Sequence, residues 1–575
     1  MAPPSVAEFV VDRLAENGVE RIYGIAGDSL NAIINSVRKS PRIRWVHVRH
    51  EEAAAFASAA EAHLTRRLAV CAGSCGPGNL HLITGLYDAQ RSRVPVLAIA
   101  AQIPSSEIGS GYFQETRPER IFRECSHYAE VIAVPAQASR VLDTAIRTAV
   151  AQSGVSVVVL PGDIALRPAP ESARPVDLAG SGSTSCPPEE TLAKLVQLLD
   201  HARKVTILAG AGCAGAHDEV IALAGRLRAP IVHTMRGKEF LEYSNPYDVG
   251  MTGLLGFTSG YHAMMDADLL LMLGTDFPYR LFYPKDATVV QVDRRGEQIG
   301  RRVAVALPVV GDVRATVGAI LSRIQPHTDD QHLRVSLDHY GRARAGLDDL
   351  ATGSPGERPI HPQYVAKVLD ELAAPDAIFT VDVGQPTVWA ARYLHTNGTR
   401  RIVGSFNHGS MANALPHAIG AQASHPQRQV ISLSGDGGLA MLFGELLTIA
   451  QLHLPVKIIV FDNGSLGFVE LEMKAAGFLP FGVDLVNPDF ARLASTIGLL
   501  GLRAETADQV RPMLTQALAH DGPALVDVVT SHEEIVLPPS IGWDELSGFS
   551  LYMVKAVLNG RGDEVIDLAK TALVR

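Results

Sequence analysis

Short apolar runs rich in β-branched residues alternate with longer helical patterns along most of the 575-residue chain. Apolar strands separated by helices form parallel sheets covered on both faces, because each crossover lays a helix on one face. The alternation therefore predicts an α/β protein built from doubly wound parallel sheets. The clearest strand-like runs lie at 68–72, 94–101, 155–160, 205–209, 269–273, 289–292, 377–381, 430–433, 456–461 and 524–529.

Two stretches rich in Pro, Gly and Ser interrupt this alternation. The first covers 167–188, and the second covers 326–359 and flanks one helix-like stretch, Gln331–Leu350. Such composition is typical of linkers. We therefore predict three domains, at 1–180, 181–335 and 336–530, followed by a tail at 531–575. In doubly wound sheets ligands bind beyond the carboxyl ends of the strands, so the residues that follow each strand are the candidates for function.

Charge and cysteine content exclude several classes of protein. Asp and Glu (61) outnumber Lys and Arg (51), and a net charge of −10 disfavours non-specific binding to nucleic acid. Five cysteines in so long a chain do not form a disulfide framework, which favours the cytoplasm. Cys71 and Cys75 lack a second cysteine pair or a histidine pattern, so metal binding there is not expected. No signal peptide and no membrane span are expected either.

Two glycine-rich segments follow neighbouring strands and predict a metal site. They are Ser434–Gly438, with Asp436 at its centre, and Asp462–Gly467, with a helix predicted between them at Leu439–Leu452. A carboxylate, an amide oxygen and a backbone carbonyl form an all-oxygen shell that suits Mg²⁺. The predicted ligands are Asp436, Asn463 and Ser465. Glycines at a helix start also let backbone N–H groups approach a diphosphate. The alternative is a pair of ordinary turns.

This pair of segments resembles the fingerprint of thiamin diphosphate (ThDP) enzymes. The segments 49–56, 73–79, 111–115 and 404–413 are similar to the ThDP- and FAD-dependent pyruvate oxidases, above all the quinone-dependent pyruvate dehydrogenases. The resemblance implies that the three domains bind, in order, the pyrimidine ring of ThDP, FAD, and the diphosphate with Mg²⁺.

The same resemblance assigns residues to ThDP. Glu51, which follows the strand-like 44–48, matches the glutamate that activates the cofactor through its pyrimidine ring, and in the family it comes from a neighbouring subunit. Met411 matches the bulky residue that bends the cofactor, although a core methionine is the plainer alternative. The remaining predicted ThDP contacts are Gly384, Gln385, Gly409, Ser410, Gly437, Gly438, Gly464, Leu466, Gly467, Phe468 and Val469.

Four residues are carried over as facing the substrate, pyruvate. Phe113 and Gln114 come from the first domain, and Phe468 and Glu472 from the third. The last two are four residues apart and share a face if Leu466–Lys474 is helical. Ordinary surface polarity is the alternative for Gln114 and Glu472. Acetolactate synthases carry tryptophan at the position of Glu472, which counts against a carboligase.

A glycine turn after the strand at 205–209 opens the predicted flavin domain. Taken alone, this turn is weak support for a dinucleotide site. Several further strand ends resemble flavin-contacting segments of the pyruvate oxidases, and Asp293 is expected to accept ribose hydroxyls. The predicted FAD residues are Gly210, Gly212, Arg236, Thr252, Gly253, Leu254, Leu255, Gly274, Thr275, Asp276, Phe277, Pro278, Tyr279, Arg280, Asp293 and Asp312.

The C-terminal tail reads as two helices, at 548–558 and 563–575, and the second carries an apolar stripe. It is either a helix docked on its own domain or an amphipathic helix at a phospholipid surface. The tail resembles that of the quinone-dependent enzymes, which implies a peripheral enzyme at the cytoplasmic face of the cell membrane.

The resemblance as a whole implies oxidative decarboxylation of pyruvate to acetate and CO₂ by a homotetramer. Electrons would pass through FAD to a membrane quinone. The alternatives are a carboligase of the acetolactate synthase type, a phosphate- and oxygen-dependent pyruvate oxidase, and an inactive cofactor-binding paralogue.

Overall fold

A computed structural model describes residues 3–170, 185–532 and 534. Three six-stranded sheets, parallel at every pairing, account for the strands of these residues, which confirms the predicted fold class. The first sheet holds β1 (Arg21–Gly24), β2 (Arg44–His47), β3 (Ala69–Gly73), β4 (Val96–Gln102), β5 (Tyr128–Val131) and β6 (Val155–Pro161). The second holds β7 (Val205–Ala209), β8 (Ile231–His233), β9 (Asp248–Met251), β10 (Leu269–Leu273), β11 (Thr288–Asp293) and β12 (Leu307–Val310). The third holds β13 (Ile378–Val381), β14 (Arg401–Gly404), β15 (Val430–Gly435), β16 (Lys457–Asp462), β17 (Leu500–Ala504) and β18 (Ala524–Val529).

Helices connect the strands and cover the sheets. Those of the first domain are α1 (Val6–Glu16), α2 (Asn31–Lys39), α3 (Glu51–Thr65), α4 (Pro77–His81), α5 (Ile83–Ser92), α6 (Pro118–Ile121), α7 (Ala138–Gln152) and α8 (Gly162–Ala165). The next are α9 (Glu189–His201), α10 (His217–Leu227), α11 (Lys238–Leu241), α12 (Thr258–Met265), α13 (Val313–Ile320) and α14 (Gln331–Leu350). The last are α15 (Pro362–Leu372), α16 (Gln385–Tyr393), α17 (Ala414–Ser424), α18 (Asp436–Met441), α19 (Glu445–Leu452), α20 (Gly467–Ala475), α21 (Phe490–Thr496) and α22 (Ala507–Ala519).

The first and third sheets have the same topology. Their strand orders are β2-β1-β3-β4-β6-β5 and β14-β13-β15-β16-β18-β17, so each strand of the third sheet matches the strand twelve numbers earlier. The central sheet differs, with the order β12-β11-β10-β7-β8-β9. The two outer domains are therefore one architecture used twice.

Equivalent helices of the two outer domains, α3 and α17, pack directly on each other. Both are rich in alanine, and their buried residues join one apolar core that runs from the first sheet to the third. The crossing is close because Gly420 of α17 lies over the backbone of Ala57 in α3. This contact fixes the first domain on the third, and Glu51 is the first residue of α3.

The structure differs from the sequence expectations at three places. Seven short strands (β1, β5, β8, β9, β12, β14 and β17) had no prediction, because runs of three to five residues carry little periodicity. The helix predicted at Leu439–Leu452 is two helices, α18 and α19, since the backbone leaves the helical conformation at Leu442, and the side chain of Glu445 accepts hydrogen bonds from the N–H groups of Arg49 and His50. The domain boundary placed between 335 and 336 falls inside α14, a continuous helix that packs on α12 and β9.

Candidate active site

The two glycine-rich loops of the third domain meet at the carboxyl ends of β15 and β16. The N–H of Gly464 donates to Asp436 Oδ2 over 2.8 Å, which joins the loops directly. Asp436 is 3% exposed, and burial together with the nearby Asp462 carboxylate raises its pKa to about 6, against several hydrogen bonds that lower it. A buried carboxylate whose charge is disfavoured in this way is suited to a cation.

The amide of Asn463 is oriented by Gln385 on the neighbouring helix α16. Asn463 Nδ2 donates to Gln385 Oε1 over 2.9 Å, and Asn463 Oδ1 accepts from the N–H of Ser465 over 3.1 Å. The hydroxyl of Ser465 donates to Glu470 over 2.6 Å, and the backbone carbonyl of Ser465 is a further oxygen of this loop. The donors at this edge are thus a carboxylate and two uncharged oxygens, which fits Mg²⁺.

A pocket opens over these loops and gathers most of the predicted ThDP residues. Three predicted ThDP residues, Gly409, Ser410 and Gly464, do not line this pocket. The N–H of Gly464 donates to Asp436, and the N–H of Ser410 donates to Ser405 Oγ over 3.1 Å. The predicted residues that line the pocket are Gly384, Gln385, Met411, Asp436, Gly437, Gly438, Asn463, Ser465, Leu466, Gly467, Phe468 and Val469.

A second, larger cavity of about 520 Å³ adjoins the first pocket. Met411, Gly437 and Leu466 line both, so Met411 stands where the two meet. The wall of the larger cavity is otherwise mainly apolar, with Met441, Phe443, Leu485, Val486, Phe490 and Leu493. All residues that line either cavity belong to the third domain.

Sequence analysis missed two polar residues behind the metal loops. Asp382 follows β13 and is buried beside Gly438, where a Cβ would lie 1.7 Å from Asp382 Oδ2. Burial raises the pKa of Asp382 to about 7, although it accepts hydrogen bonds from several backbone N–H groups. Asn487 donates from Nδ2 to both Asp436 Oδ2 and Asp462 Oδ1, each over 2.7 Å. The strand-end rule used for Asp436 would have found Asp382, whereas Asn487 lies in a loop with no such signal.

Glu51 lies at the carboxyl edge of the first sheet and does not line either cavity. It is 6% exposed, and its Oε2 lies 2.9 Å from His81 Nδ1. The ring of His81 stacks on that of His50, with centroids 4.3 Å apart. The sequence did not indicate His81, because this residue lies two positions beyond the segment 73–79 that carries the resemblance.

The two substrate-facing residues predicted in the first domain lie at the same edge. Gln114 has a left-handed backbone, with φ 62°, and its Oε1 accepts from Cys75 Sγ over 3.3 Å. The neighbouring Phe113 is 78% exposed. Gln114 is therefore held against the loop that follows β3. The same loop leads to Gly78, which lies against Glu51: a Cβ on Gly78 would be 2.9 Å from Glu51 Oε1.

Helix α20 is present, as the spacing of Phe468 and Glu472 predicted. Phe468 lines the diphosphate pocket and Glu472 is exposed. In the second domain, burial and then the charge of the Glu472 carboxylate raise the pKa of the Tyr279 phenol.

The glycine loops of the second domain are in close backbone contact at the carboxyl ends of β7 and β10. A Cβ on Gly212 would lie 2.6 Å from the Cα of Gly274, and one on Gly210 would lie 2.5 Å from Thr275 Cβ. Side chains are thereby kept out of this edge. The hydroxyl of Thr252 is buried without a hydrogen-bond partner. An unsatisfied hydroxyl at a glycine-lined sheet edge fits a dinucleotide, in agreement with the predicted FAD residues.

Other predicted flavin residues make contacts within the protein. Arg236 Nη2 donates to the carbonyl of Ser92, and Asp276 pairs with Arg93 over 3.1 Å, so both reach the first domain. Asp293 accepts from Arg295, and burial raises its pKa to about 6. Asp312 caps α13 by accepting from the N–H of Ala315.

The remaining predicted flavin residues pack around a cluster of aromatic rings. Phe277 contacts Gly253 and the ring of Tyr279. Leu254 and Phe282 belong to the same apolar core as Phe277, and Pro278 and Arg280 lie in the segment between Phe277 and Phe282.

Helix α16 connects the diphosphate pocket to the flavin segment. Gln385 begins the helix in the pocket, and Arg392 near its end donates to the carbonyls of Leu255 and Gly256 over 3.2 and 3.3 Å. Leu255 is itself a predicted flavin residue, and it packs on the core of the third domain. The two predicted cofactor sites are therefore joined by a single helix.

Comparisons with known proteins agree with this arrangement. Models of thiamine pyrophosphate (TPP) enzyme domains match in order: the N-terminal TPP binding domain at 4–120, the central domain at 192–320 and the C-terminal TPP binding domain at 382–528. A putative thiamine pyrophosphate-containing protein of Bacillus subtilis, YdaP, is 34% identical over 99% of both chains. A pyruvate oxidase of Lactiplantibacillus plantarum is 31% identical over 90% of this chain and 87% of its own. An acetolactate synthase of Mycobacterium bovis is 30% identical over 92% of this chain and 89% of its own.

Proposed function

The chain belongs to the thiamine pyrophosphate enzyme family, and from this premise we propose that it oxidises pyruvate to acetate and CO₂. The balanced half-reaction consumes one water and releases two protons and two electrons. FAD in the second domain takes the electrons and a membrane quinone removes them. Mg²⁺ and ThDP occupy the pocket of the third domain.

The observation that carries the oxidative proposal is helix α16, which joins the pocket to a loop of the predicted flavin domain. Gln385 begins this helix in the pocket, and Arg392 near its end donates to the carbonyls of Leu255 and Gly256. Two-electron transfer requires the substrate carbon and the flavin to lie close together. A flavin site built against the ThDP pocket supports such a transfer.

The residues of the chain have separate tasks in this proposal. Asp436, the amide oxygen of Asn463 and the carbonyl of Ser465 hold Mg²⁺, and the glycine N–H groups of α18 face the diphosphate. Glu51 would hydrogen-bond to the pyrimidine ring of ThDP, and the contact with His81 Nδ1 holds one of its carboxylate oxygens in place. When bound, ThDP supplies the carbanion that attacks the ketone and holds the electrons left after CO₂ departs. Phe113, Gln114, Phe468 and Glu472 enclose the substrate.

A carboligase of the acetolactate synthase type is the second candidate, because such an enzyme is 30% identical over most of the chain. Glu472 argues against it, since acetolactate synthases carry tryptophan at this position. Anaerobic mixing of the holoenzyme with pyruvate separates the two. Bleaching of the flavin with acetate as product supports oxidation, and acetolactate with an unbleached flavin overturns it.

We further propose that the active site forms between two subunits. Glu51, Phe113 and Gln114 lie in the first domain, whereas both cavities are lined by the third. Large apolar side chains near these edges are exposed in the single chain, among them Phe113, Phe481 and Val486, and a partner subunit would cover them. A dimer of such dimers gives the proposed homotetramer.

Complementation tests this shared site. Glu51→Gln and Asp436→Asn are each expected to inactivate the enzyme. A hybrid of the two chains has one site with both native residues if Glu51 acts across the interface, and it has none if each chain is self-sufficient. Recovery of activity on co-expression, with none from either variant alone, supports the shared site. Inactive hybrids of verified composition overturn it.

The quinone acceptor and the membrane location rest on the C-terminal tail, whose two predicted helices, at 548–558 and 563–575, lie outside the described part of the chain. In the described residues, no helix is both long and apolar enough to cross a membrane. We propose that the tail binds the cytoplasmic surface of the membrane, where several copies in an oligomer strengthen a weak individual contact.

A further inference from the structure

Behind the metal loop, helix α20 buries a carboxylate that the proposed reaction does not use. Glu470 is 6% exposed and lies on the opposite side of α20 from Phe468 and Glu472. Its Oε2 accepts from Ser465 Oγ over 2.6 Å, and its Oε1 pairs with Lys474 Nζ over 2.9 Å. Glu470 thus contacts the metal loop through one of the predicted metal-binding residues.

His532 closes the same arrangement from the other side. Its Nε2 lies 3.0 Å from Glu470 Oε2, and its Nδ1 lies 3.0 Å from the carbonyl oxygen of Asn463. Both partners accept hydrogen bonds, so a protonated ring donates to both and a neutral ring donates to one of them. The loop is thereby held at 463 and at 465, on either side of Gly464, whose φ is 67° and which has no side chain to anchor it.

These contacts hold the loop residues that carry the predicted metal-binding oxygens. Glu470 accepts from the Ser465 hydroxyl and so holds that side chain. His532 contacts the Asn463 carbonyl and Gln385 accepts from the Asn463 amide nitrogen, so both the backbone and the side chain of Asn463 are held. Partners behind metal ligands commonly fix the orientation of those ligands in this way.

We propose that Glu470 and His532 are positioning residues for the divalent cation, which together hold the 463–465 loop in its metal-binding conformation. The inference rests on the proposed function of this loop as the Mg²⁺–ThDP site. It predicts that loss of Glu470 weakens metal binding although Glu470 does not touch the metal.

The test measures Mn²⁺ binding by the loss of the free-ion electron paramagnetic resonance signal, in apoprotein with saturating ThDP. We expect one Mn²⁺ per chain for the wild type and a dissociation constant about 10-fold or more higher for Glu470→Gln. Glu242→Gln is the matched control, because the Glu242 side chain is only 11% exposed and pairs with a lysine four residues away, Lys238, but in the second domain. His532→Ala is the second variant: its side chain is 35% exposed, so truncation leaves the core intact, and it should also weaken Mn²⁺ binding.

The outcomes separate this inference from the proposed function. A wild-type protein that binds no Mn²⁺ with ThDP present overturns the metal site itself. Tight binding by wild type, Glu470→Gln and His532→Ala alike overturns only the positioning role. Equal weakening in Glu242→Gln and Glu470→Gln also overturns it, because the effect would then be a general loss of stability.

Discussion

Substitution of Gly420 by alanine tests the crossing of α3 and α17, on which the relation between the two outer domains depends. The added Cβ would lie 2.0 Å from the carbonyl oxygen of Ala57 and 2.7 Å from its carbon. Contacts under 3.0 Å are essentially unknown for real Cβ atoms, so the helices must separate by about 1 Å. Because the opposing atoms are backbone, no side-chain rotation relieves the clash.

We expect a cost of about 3 kcal/mol, the upper part of the range for overpacked cores. A domain of this size loses roughly 2–4 °C of melting temperature per kcal/mol, which gives a decrease of about 6–12 °C. Activity should fall as well, since Glu51 begins the displaced helix. Differential scanning fluorimetry of the apoprotein measures the first effect, and pyruvate-dependent dye reduction measures the second.

The matched control is Gly341→Ala in α14, where a Cβ meets nothing within 4 Å. Alanine is the better helix former there, so this variant should be more stable by about 0.5–1 kcal/mol. The same substitution therefore has opposite signs at two helical positions. A melting temperature for Gly420→Ala within 2 °C of wild type would refute the close crossing.

Three further predictions concern Glu51, the C-terminal tail and the buried carboxyl group of Asp248. Glu51→Gln should slow pyruvate turnover by about 10²-fold or more while ThDP and FAD still bind; near-normal turnover would remove Glu51 from the mechanism. Deletion from Gly548 onward should preserve reduction of a soluble dye but abolish liposome binding and depress quinone reduction, and equal co-sedimentation of both forms with liposomes would contradict the membrane role. Burial and the Glu242 carboxylate raise the pKa of Asp248 to about 7, so the folded state holds a proton that the unfolded state has lost. The stability from this group is complete below pH 4 and is lost as the pH rises to about 7; Asp248→Asn should flatten urea denaturation midpoints over that range, and an unchanged slope would count against the raised pKa.

The sequence predicted the buried strands well and the edges poorly. A wholly buried run such as Val155–Pro161 is apolar at every position except Ser156 and is clearly distinguished from a loop. Strands such as β5 and β12 contain Glu130 and Pro308 and are only partly buried, so the sheet rather than the local sequence makes them strands. The split between α18 and α19 was unpredictable for a similar reason, since Glu445 accepts hydrogen bonds from N–H groups about 395 residues away in the sequence.

The candidate site shows the same division. Asp436 and Asn463 were predictable, because the carboxyl end of a parallel strand is marked by glycine and a polar residue in the sequence itself. His81, Asn487 and Glu470 were not, because each is defined by its partner across the fold rather than by its neighbours in sequence. Residues that position others have no motif of their own, and a structure is needed to find them.

The repeated topology of the outer domains shows how far the fold alone determines chemistry. In the third sheet, β15 and β16 are followed by Asp436 and Asn463, which bring oxygen ligands to one point. The equivalent strands of the first sheet, β3 and β4, lead into Ser74 and Ile103, and that edge instead holds Glu51 from the start of α3. The backbone path is the same, but one edge carries the predicted metal ligands and the other carries a glutamate. Because the topology is common to both domains, the chemical difference between the two edges comes from the residues placed there and not from the fold.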